Sequence, residues 1–338
     1  ASTGSASQTA CAAGTYQAST GQSSCTDASA GYYVDTTAAT SQTACAAGTY
    51  NPNTGQTSCI DASAGHYVPE FYTDGFESGD FSGLAWLNDD QAGGTDINGD
   101  ANWSVTSSES NVGNYSAMND QTDHSEQGVL EITLTTASGY VTWDQMISTE
   151  LLDFLFFYVD NSIQGSWSGI TGWTSESHYV TAGEHTFAWV YDRDSTVGAG
   201  ADTVWLDNVS FPAAKLDQMP CPAGTYQPST GQASCIDAST GYYVDTTAAT
   251  SQTACAAGTY QPNTGSSDSS ACIEAAEGYY VPNAGSASQT ACSLGTYQSD
   301  EGQTSCDEAD AGYYVDTMAA TDQTACDPGT YQPDTGQS

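Results

Sequence analysis

Residues 11–45 read CAAGTYQASTGQSSCTDASAGYYVDTTAATSQTAC, and this stretch sets the pattern for most of the chain. The cysteines lie at positions 11, 25, 45, 59, 221, 235, 255, 272, 292, 306 and 326, with gaps that alternate between 14 and 20 residues apart from one of 17 and one of 162. The period is therefore 34 residues, a length typical of stacked repeats. Residues 31–50 and 241–260 are identical, which favours a reused structural part over a tailored catalytic site.

Each period has two halves. The first half reads C-x-x-G-T-Y, then a turn that ends in Gly, then a second Cys, which predicts a small hairpin. The second half reads D-A-x-x-G-Y-Y-V and returns to the next Cys with no cysteine inside. Neither half has enough apolar surface for a core, so cross-links must stabilise it.

The spacing leaves two ways to pair the cysteines. Pairing across the 20-residue gaps leaves Cys11 unmatched and joins Cys59 to Cys221, whereas a hairpin brings its own two ends to disulfide distance. We therefore expect the pairing within hairpins, with the partner of Cys326 beyond Ser338, because the chain opens and closes inside a repeat. The predicted disulfides are Cys11–Cys25, Cys45–Cys59, Cys221–Cys235, Cys255–Cys272 and Cys292–Cys306.

The composition restricts the partners and the compartment. There are 41 acidic residues and two basic ones, Arg193 and Lys215, for a net charge of −39. This charge repels nucleic acid and anionic lipid, and it requires screening by salt or divalent cations. Alternatively, the acidity only keeps a long polymer soluble. The cysteines indicate an oxidising, extracellular location, and no apolar run approaches the ~20 residues that span a bilayer.

The run C-x-x-G-T-Y…G-x-x-S-C resembles the ephrin-receptor-like cysteine-rich repeat, a relative of tumour-necrosis-factor-receptor repeats. The resemblance covers residues 1–68 and 218–338 and implies an extracellular stalk. The chain departs from that family where it has Ala28, Ala62 and Ala238 in place of a further cysteine. Every other disulfide is therefore absent, which predicts a looser rod.

Residues 69–217 form a different segment, inserted between the two cysteine-rich blocks. All seven Trp, all eight Phe and both basic residues lie there, and no cysteine does. Short aromatic-rich strands are predicted at 129–135, 153–160, 186–191 and 204–211. The predicted fold is all-β, with disulfide-stapled hairpins in an elongated rod and one inserted β-sandwich of jelly-roll type.

The inserted segment resembles jelly-roll lectin-like domains of bacterial surface proteins, related to concanavalin-A-like, MAM and carbohydrate-binding modules. The runs that carry the resemblance are 74–81, 153–169, 181–194 and 202–211. The resemblance implies a structural calcium held by Glu77 and Asp207, with Asp80 and Asn208 as further ligands; the alternative is ordinary turn carboxylates. A second calcium loop at 96–102 lacks the carboxylate expected at its twelfth position, where Ser107 stands, so a solvated loop is favoured.

Three aromatic residues around a Gly/Ser-rich loop, Trp167, Trp173 and Tyr179, could stack on sugar rings, although core packing is the more frequent role of such tryptophans. Catalysis is not expected, because Glu150 to Asp153 does not match a glucanase strand and residues 165–169 (GSWSG) have Trp at the nucleophile position. Possible N-glycosylation sites are Asn102, Asn114 and Asn208.

We predict a structural component of an extracellular fibre, filament or cell-surface stalk that self-associates into a homopolymer. The alternative is a cell-surface adhesin whose inserted jelly roll binds glycans with calcium. A hydrolase is the least favoured hypothesis.

Overall fold

The computed structural model describes residues 8–88, 103–119, 127–193 and 201–338. The chain divides into two compact units, Ala1–Val68 with Leu216–Ser338, and Pro69–Lys215. In the described ranges the regular elements are β-strands, apart from one 3₁₀ turn at Ser269–Ala271. The predicted all-β class is confirmed. No helix within these ranges has the length and apolar character needed to cross a membrane.

The first unit consists of very short antiparallel hairpins, ten of them among the described residues. Both halves of each period fold in the same way, so the structural unit is half of the sequence period. The pairs before the insertion are β1 (Thr15–Tyr16) with β2 (Thr26–Asp27), β3 (Tyr32–Tyr33) with β4 (Thr43–Ala44), and β5 (Thr49–Tyr50) with β6 (Ile60–Asp61).

One hairpin spans the insertion. Strand β7 (His66–Tyr67) pairs with a strand that follows the inserted segment, Met219–Pro220, so that Tyr67 lies opposite Met219. The return strand of this half-repeat is therefore kept, and the insertion occupies the turn of the hairpin.

The inserted unit contains eleven strands in its described residues, and they form two sheets. The strands are β8 (Phe71–Asp74), β9 (Leu87–Asn88), β10 (Ser104–Thr106), β11 (Ser116–Asn119), β12 (Gln127–Thr136), β13 (Gly139–Ser148), β14 (Phe154–Val159), β15 (Ser162–Trp167), β16 (Thr174–Val180), β17 (Gly183–Asp192) and β18 (Thr203–Pro212).

The first sheet has the order β10-β11-β18-β13-β16, with β8 also paired to β18. The second has the order β15-β14-β17-β12-β9. Alternate residues of both sheets point into one core, as expected for a sandwich. Its largest fully buried side chains include Trp103, Trp143, Trp189, Phe157 and Phe211.

The remaining hairpins follow the insertion. Their strands are β19 (Met219–Pro220), which pairs with β7, and then β20 (Thr225–Tyr226), β21 (Ile236–Asp237), β22 (Tyr242–Tyr243), β23 (Thr253–Ala254), β24 (Thr259–Tyr260), β25 (Ile273–Glu274), β26 (Tyr279–Tyr280), β27 (Thr290–Ala291), β28 (Thr296–Tyr297), β29 (Asp307–Glu308), β30 (Tyr313–Tyr314) and β31 (Thr324–Ala325).

Five disulfides close the first-half hairpins, and each has Cα atoms 5.7–5.8 Å apart. Among the described cysteines, Cys326 is the free one. The bonded pairs are Cys11–Cys25, Cys45–Cys59, Cys221–Cys235, Cys255–Cys272 and Cys292–Cys306.

The second-half hairpins have a hydrogen bond in place of the disulfide. A fully buried Ala stands at the position of the first cysteine, and a Gln stands at that of the second. The Gln carbonyl oxygen accepts the backbone N–H of the residue after the Ala, as in Ser29 to Gln42 and Ser239 to Gln252, each 2.7 Å. The same bond recurs as Ser63 to Gln218, Ala276 to Gln289 and Asp310 to Gln323.

Successive half-repeats are joined by backbone hydrogen bonds from the glycine that begins each hairpin. The N–H of Gly14 donates to the carbonyl of Val34, and that of Gly31 to the carbonyl of Asn51, at 2.7 and 2.8 Å. The series continues through the insertion, because Gly65 donates to Gln227 at 2.7 Å. The hairpins therefore form one hydrogen-bonded array in which the insertion causes no break.

Candidate functional site

Two acidic residues of the sandwich hold one loop. The carboxylate of Asp207, on β18, accepts the backbone N–H groups of Asn111 and Val112 at 2.8 and 2.9 Å. The carboxylate of Glu77 accepts those of Asn114 and Tyr115 at 2.9–3.0 Å. The two residues that the resemblance predicted as calcium ligands therefore both bind the segment 111–115.

Asp207 also faces a second carboxylate. Asp144 on β13 is its direct cross-strand partner, next to a β-bulge, and the two residues are 6% and 0% exposed. Burial raises the pKa of Asp207, and the charge of Asp144 raises it further, against the lowering effect of its backbone N–H bonds. Two like charges opposite each other in a sheet are unfavourable, so this pair favours a nearby cation.

The fit of this region to calcium is partial. Oxygen atoms of Asp144, Asp207 and Glu77 lie around the loop, which suits a hard cation. Asp80 instead accepts the N–H of Ser82 in its own turn, and the side-chain amide of Asn208 donates to Asp144 at 3.4 Å. In the part of the chain that the structure describes, no three His, Cys, Asp or Glu residues are grouped as a metal site. The loop at 96–102 lies outside that part.

The three predicted sugar-binding aromatics do not share one surface. Trp167 on β15 packs against the core and meets Trp143 edge to face, with ring centroids 5.8 Å apart. Tyr179 lies on the other sheet, exposed, in a T-shaped pair with Tyr140 at 5.4 Å. Trp173 is half-buried just before β16.

A different row of aromatics lies on the outer face of the second sheet. On β14, Leu155, Phe157 and Val159 point into the core, so the alternate residues Phe154, Phe156 and Tyr158 point outward. These three half-buried side chains, hereafter the outer strip, form a continuous row. The rings of Phe154 and Phe156 stack at 5.6 Å, and Tyr158 follows at 6.2 Å.

Sequence reasoning predicted the strand that carries the outer strip but not the strip itself. Residues 153–160 read DFLFFYVD, in which every position between the two Asp residues is apolar or aromatic. One alternate set of positions, Phe154, Phe156 and Tyr158, holds three aromatics, and the strand period of two does not by itself say whether that set faces the core. Such a run is typical of a strand buried on both faces, which hid the outward row.

Carboxylates flank the outer strip on the same face. Asp192 on β17 lies opposite Phe154, and Glu131 on β12 lies in the same row as Tyr158, with Ala188 between them. Burial raises the pKa of Glu131. Burial also raises the pKa of Tyr158, and the charge of Asp192 adds to that effect.

Both basic residues of the chain have acidic partners. Arg193 binds Asp202 and Lys215 binds Glu70, each with an N–O distance of 2.8 Å. The side chains of Arg193 and Lys215 are 8% and 9% exposed. The outer strip is therefore flanked by acidic groups with no lysine or arginine to neutralise them.

Two of the three glycosylation sequons lie in described residues. Asn114 and Asn208 are both exposed, while Asn102 lies outside the described part of the chain. Whether they carry glycan remains a prediction from the sequence.

Part of the repeat region matches the model of a known family. The model of the family described as tyrosine-protein kinase ephrin type A/B receptor-like matches residues 219–255 and 278–326. No curated protein matches the chain.

Parts of this chain are similar to solved structures at low sequence identity. The secreted serine protease VesC from Vibrio cholerae is 22% identical over 33% of this chain and 24% of its own, with a TM-score of 0.27. TmCBM61 in complex with β-1,4-galactotriose is 15% identical over 41% of this chain and 94% of its own, with a TM-score of 0.30. The CBM22-1 xylan-binding domain from Paenibacillus barcinonensis Xyn10C is 14% identical over 44% and 97%, with a TM-score of 0.29.

The disulfide-rich repeats and the receptor-like family match together indicate an extracellular or secreted protein.

Proposed function

We propose that the repeats are the structural stalk of an extracellular protein and that the sandwich is a glycan-binding head set into it. The observation that carries the first part is the unbroken hydrogen-bonded array. Each starting glycine bonds to the next half-repeat, and Gly65 extends the series to Gln227 across the insertion. In a solenoid each repeat contacts only the neighbouring repeats, so the number of repeats can vary without loss of the fold.

The stalk also suits self-association. Ile60, Ile236 and Ile273 occupy the same position in successive first halves, and each is 45–48% exposed. Exposed apolar side chains at a fixed period favour lateral contact between copies. The charge of −39 opposes such contact, so association requires salt or divalent cations.

Static light scattering of the full chain tests this association. We expect monomers in low salt with chelator and larger particles when calcium or salt is added. Replacing Ile60, Ile236 and Ile273 with Thr is expected to abolish the increase. A mass that stays monomeric in the wild type under all conditions contradicts self-association.

The outer strip supports the second part of the proposal, a glycan-binding head. Aromatic faces in line along a strand give a platform on which sugar rings can stack, and flanking polar groups give hydrogen bonds. Calcium near Asp207 and Glu77 would keep the loop 111–115 in place and neutralise the Asp144–Asp207 pair. We propose binding without catalysis.

A glycan array with the full chain tests this head. We expect binding to a limited set of glycans, no release of sugar from polysaccharides, and weaker binding after chelation of calcium. An array without any bound glycan in calcium rules out the adhesin function and leaves the stalk alone.

A further inference from the structure

We infer that the outer face of β14, β17 and β12 is the glycan site and that it prefers amino-sugar chains, which carry positive charge, over neutral and anionic ones. The inference rests on the proposed glycan-binding head. It goes further by naming the surface and the chemical class of the ligand.

The face has the geometry of a shallow binding surface. The register places Phe156 opposite Val190, and Val190 opposite Val129, while Tyr158 lies in the row of Ala188 and Glu131. Neighbouring strands lie about 4.8 Å apart, so the floor beside the aromatic ridge is about two strands wide. Small aliphatic side chains on this floor leave room for a ligand beside the rings.

The length of the ridge suits more than one sugar ring. Residues of one face recur about every 6.7 Å along a strand, so the outer strip from Phe154 to Tyr158 extends about 13 Å. Within the described residues, none of the three belongs to the buried core. An extended aromatic row of this kind fits a chain rather than a single sugar.

The charges select the class of ligand. Asp192 lies beside Phe154 at one end of the ridge, and Glu131 lies across the floor from Tyr158 at the other. Arg193 and Lys215, the two strong cations, are bound to Asp202 and Glu70. The negative charges of a uronic-acid or sulfated chain would be repelled by these two carboxylates. The ammonium groups of an amino-sugar chain would instead form ion pairs with them.

The same charges disfavour a second copy of this protein as the occupant. Two such faces in contact would bring Glu131 and Asp192 of one copy against those of the other. Each copy carries a net charge of −39, so that contact would be repulsive.

The test measures binding of the full chain to short oligosaccharides by calorimetry in calcium, below the pKa of the sugar amine. The probes are glucosamine tetrasaccharide, its fully N-acetylated counterpart, and a galacturonic acid tetrasaccharide. We expect the glucosamine chain to bind about three- to tenfold more tightly than the acetylated one, as two partly exposed ion pairs allow, and the acidic chain not to bind.

Variants separate this site from general attraction to an acidic protein. The pair Glu131→Gln and Asp192→Asn should remove the preference, so that the glucosamine chain binds no more tightly than the acetylated one. Removing the same charge from the repeats, with Asp237→Asn and Glu274→Gln, should leave the preference intact. Phe156→Ala should weaken binding of both the glucosamine and the acetylated chain at least tenfold, whereas Tyr179→Ala should leave both affinities unchanged.

The outcomes distinguish the two proposals. If none of the probes and no array glycan binds, the glycan-binding head itself fails. The assignment to the outer strip fails if a glycan binds and Tyr179→Ala abolishes that binding. It also fails if the variant with Asp237→Asn and Glu274→Gln loses the preference for glucosamine as fully as the variant with Glu131→Gln and Asp192→Asn. Association of two chains that Phe156→Ala abolishes would identify a protein interface and also overturn the inference.

Discussion

The backbone N–H of Ser29 donates to the side-chain carbonyl oxygen of Gln42 over 2.7 Å, at the place where neighbouring half-repeats have a disulfide. Cys11 and Cys25 are 14 residues apart, and so are Ala28 and Gln42. The array therefore alternates disulfide and hydrogen-bonded cross-links, hereafter staples, at equivalent places in successive hairpins. The missing cysteines led us to expect a looser rod, but in each second-half hairpin the glutamine hydrogen bond takes the place of the absent disulfide.

The equivalence predicts that a second-half hairpin accepts a disulfide. Ala238→Cys with Gln252→Cys, made with Cys326→Ser so that no other thiol is present, should oxidise spontaneously. Mass spectrometry should find the two cysteines linked, and the loop-entropy model predicts a gain of about 3 kcal/mol in the free energy of unfolding.

A control distinguishes the covalent effect from loss of the glutamine. Gln252→Ala alone should cost about 1 kcal/mol and increase hydrogen exchange at Ser239, whose N–H loses its acceptor. The equivalence is contradicted if the double cysteine variant remains reduced under air. It is also contradicted if Gln252→Ala leaves hydrogen exchange at Ser239 unchanged, because the hydrogen bond to Gln252 then does not stabilise this hairpin.

The starting glycine Gly258 should not tolerate a side chain, because a Cβ at this position would collide with the carbonyl oxygen of Gly302 in a later hairpin. Gly258→Ala should therefore destabilise the array by several kcal/mol through strain and overpacking. Gly265 has a similar positive φ of 73° but open space around its Cβ position. Gly265→Ala should cost only about 1 kcal/mol. Equal losses in chemical denaturation would contradict the close stacking of hairpins.

The buried Asp207 predicts a pH dependence of the sandwich. Its pKa is raised above 3.8, so the folded state penalises the charged form. In chelator, the stability should therefore rise as pH falls from neutral through that raised pKa, and calcium at neutral pH should have a similar stabilising effect. Tryptophan fluorescence reports this unit selectively, because all seven Trp lie within residues 69–217.

Two substitutions test the assignment to Asp207. Asp207→Asn should remove both the gain in stability on acidification and the calcium effect, whereas Asp80→Asn, at a carboxylate that accepts the N–H of Ser82 in its own turn, should leave the calcium effect in place. A melting temperature that calcium leaves unchanged in the wild type would refute the structural calcium.

Much of the fold follows from the sequence because strong local signals agree. The cysteine spacing predicts the hairpins, and the aromatic runs predict β12, β14, β17 and β18 within a few residues. The glutamine staple could not be predicted in the same way, because Ala28 and Gln42 share the cysteine spacing but are not residue types that mark a cross-link. Its role appears only when Ala28 is aligned in space with Cys11.

The candidate site was harder to predict for a related reason. Which aromatics face outward depends on the register of β14 against β17, and a run such as FLFFYV gives no sign of its outer face. Trp167 was selected for its glycine-rich surroundings, yet it packs on Trp143 in the core. The cross-strand pairing of Asp144 with Asp207 likewise joins residues 63 positions apart, which no local pattern connects.

The repeats on both sides of the insertion form one continuous hydrogen-bonded array. Ala62 and Gln218 occupy the staple positions of the hairpin that spans the insertion, where Ser63 donates to Gln218 at 2.6 Å. The decisive measurement is peptide mapping of Ala62→Cys with Gln218→Cys, in the Cys326→Ser background. The array predicts a complete disulfide between these distant positions, whereas two free thiols in the folded protein would contradict it.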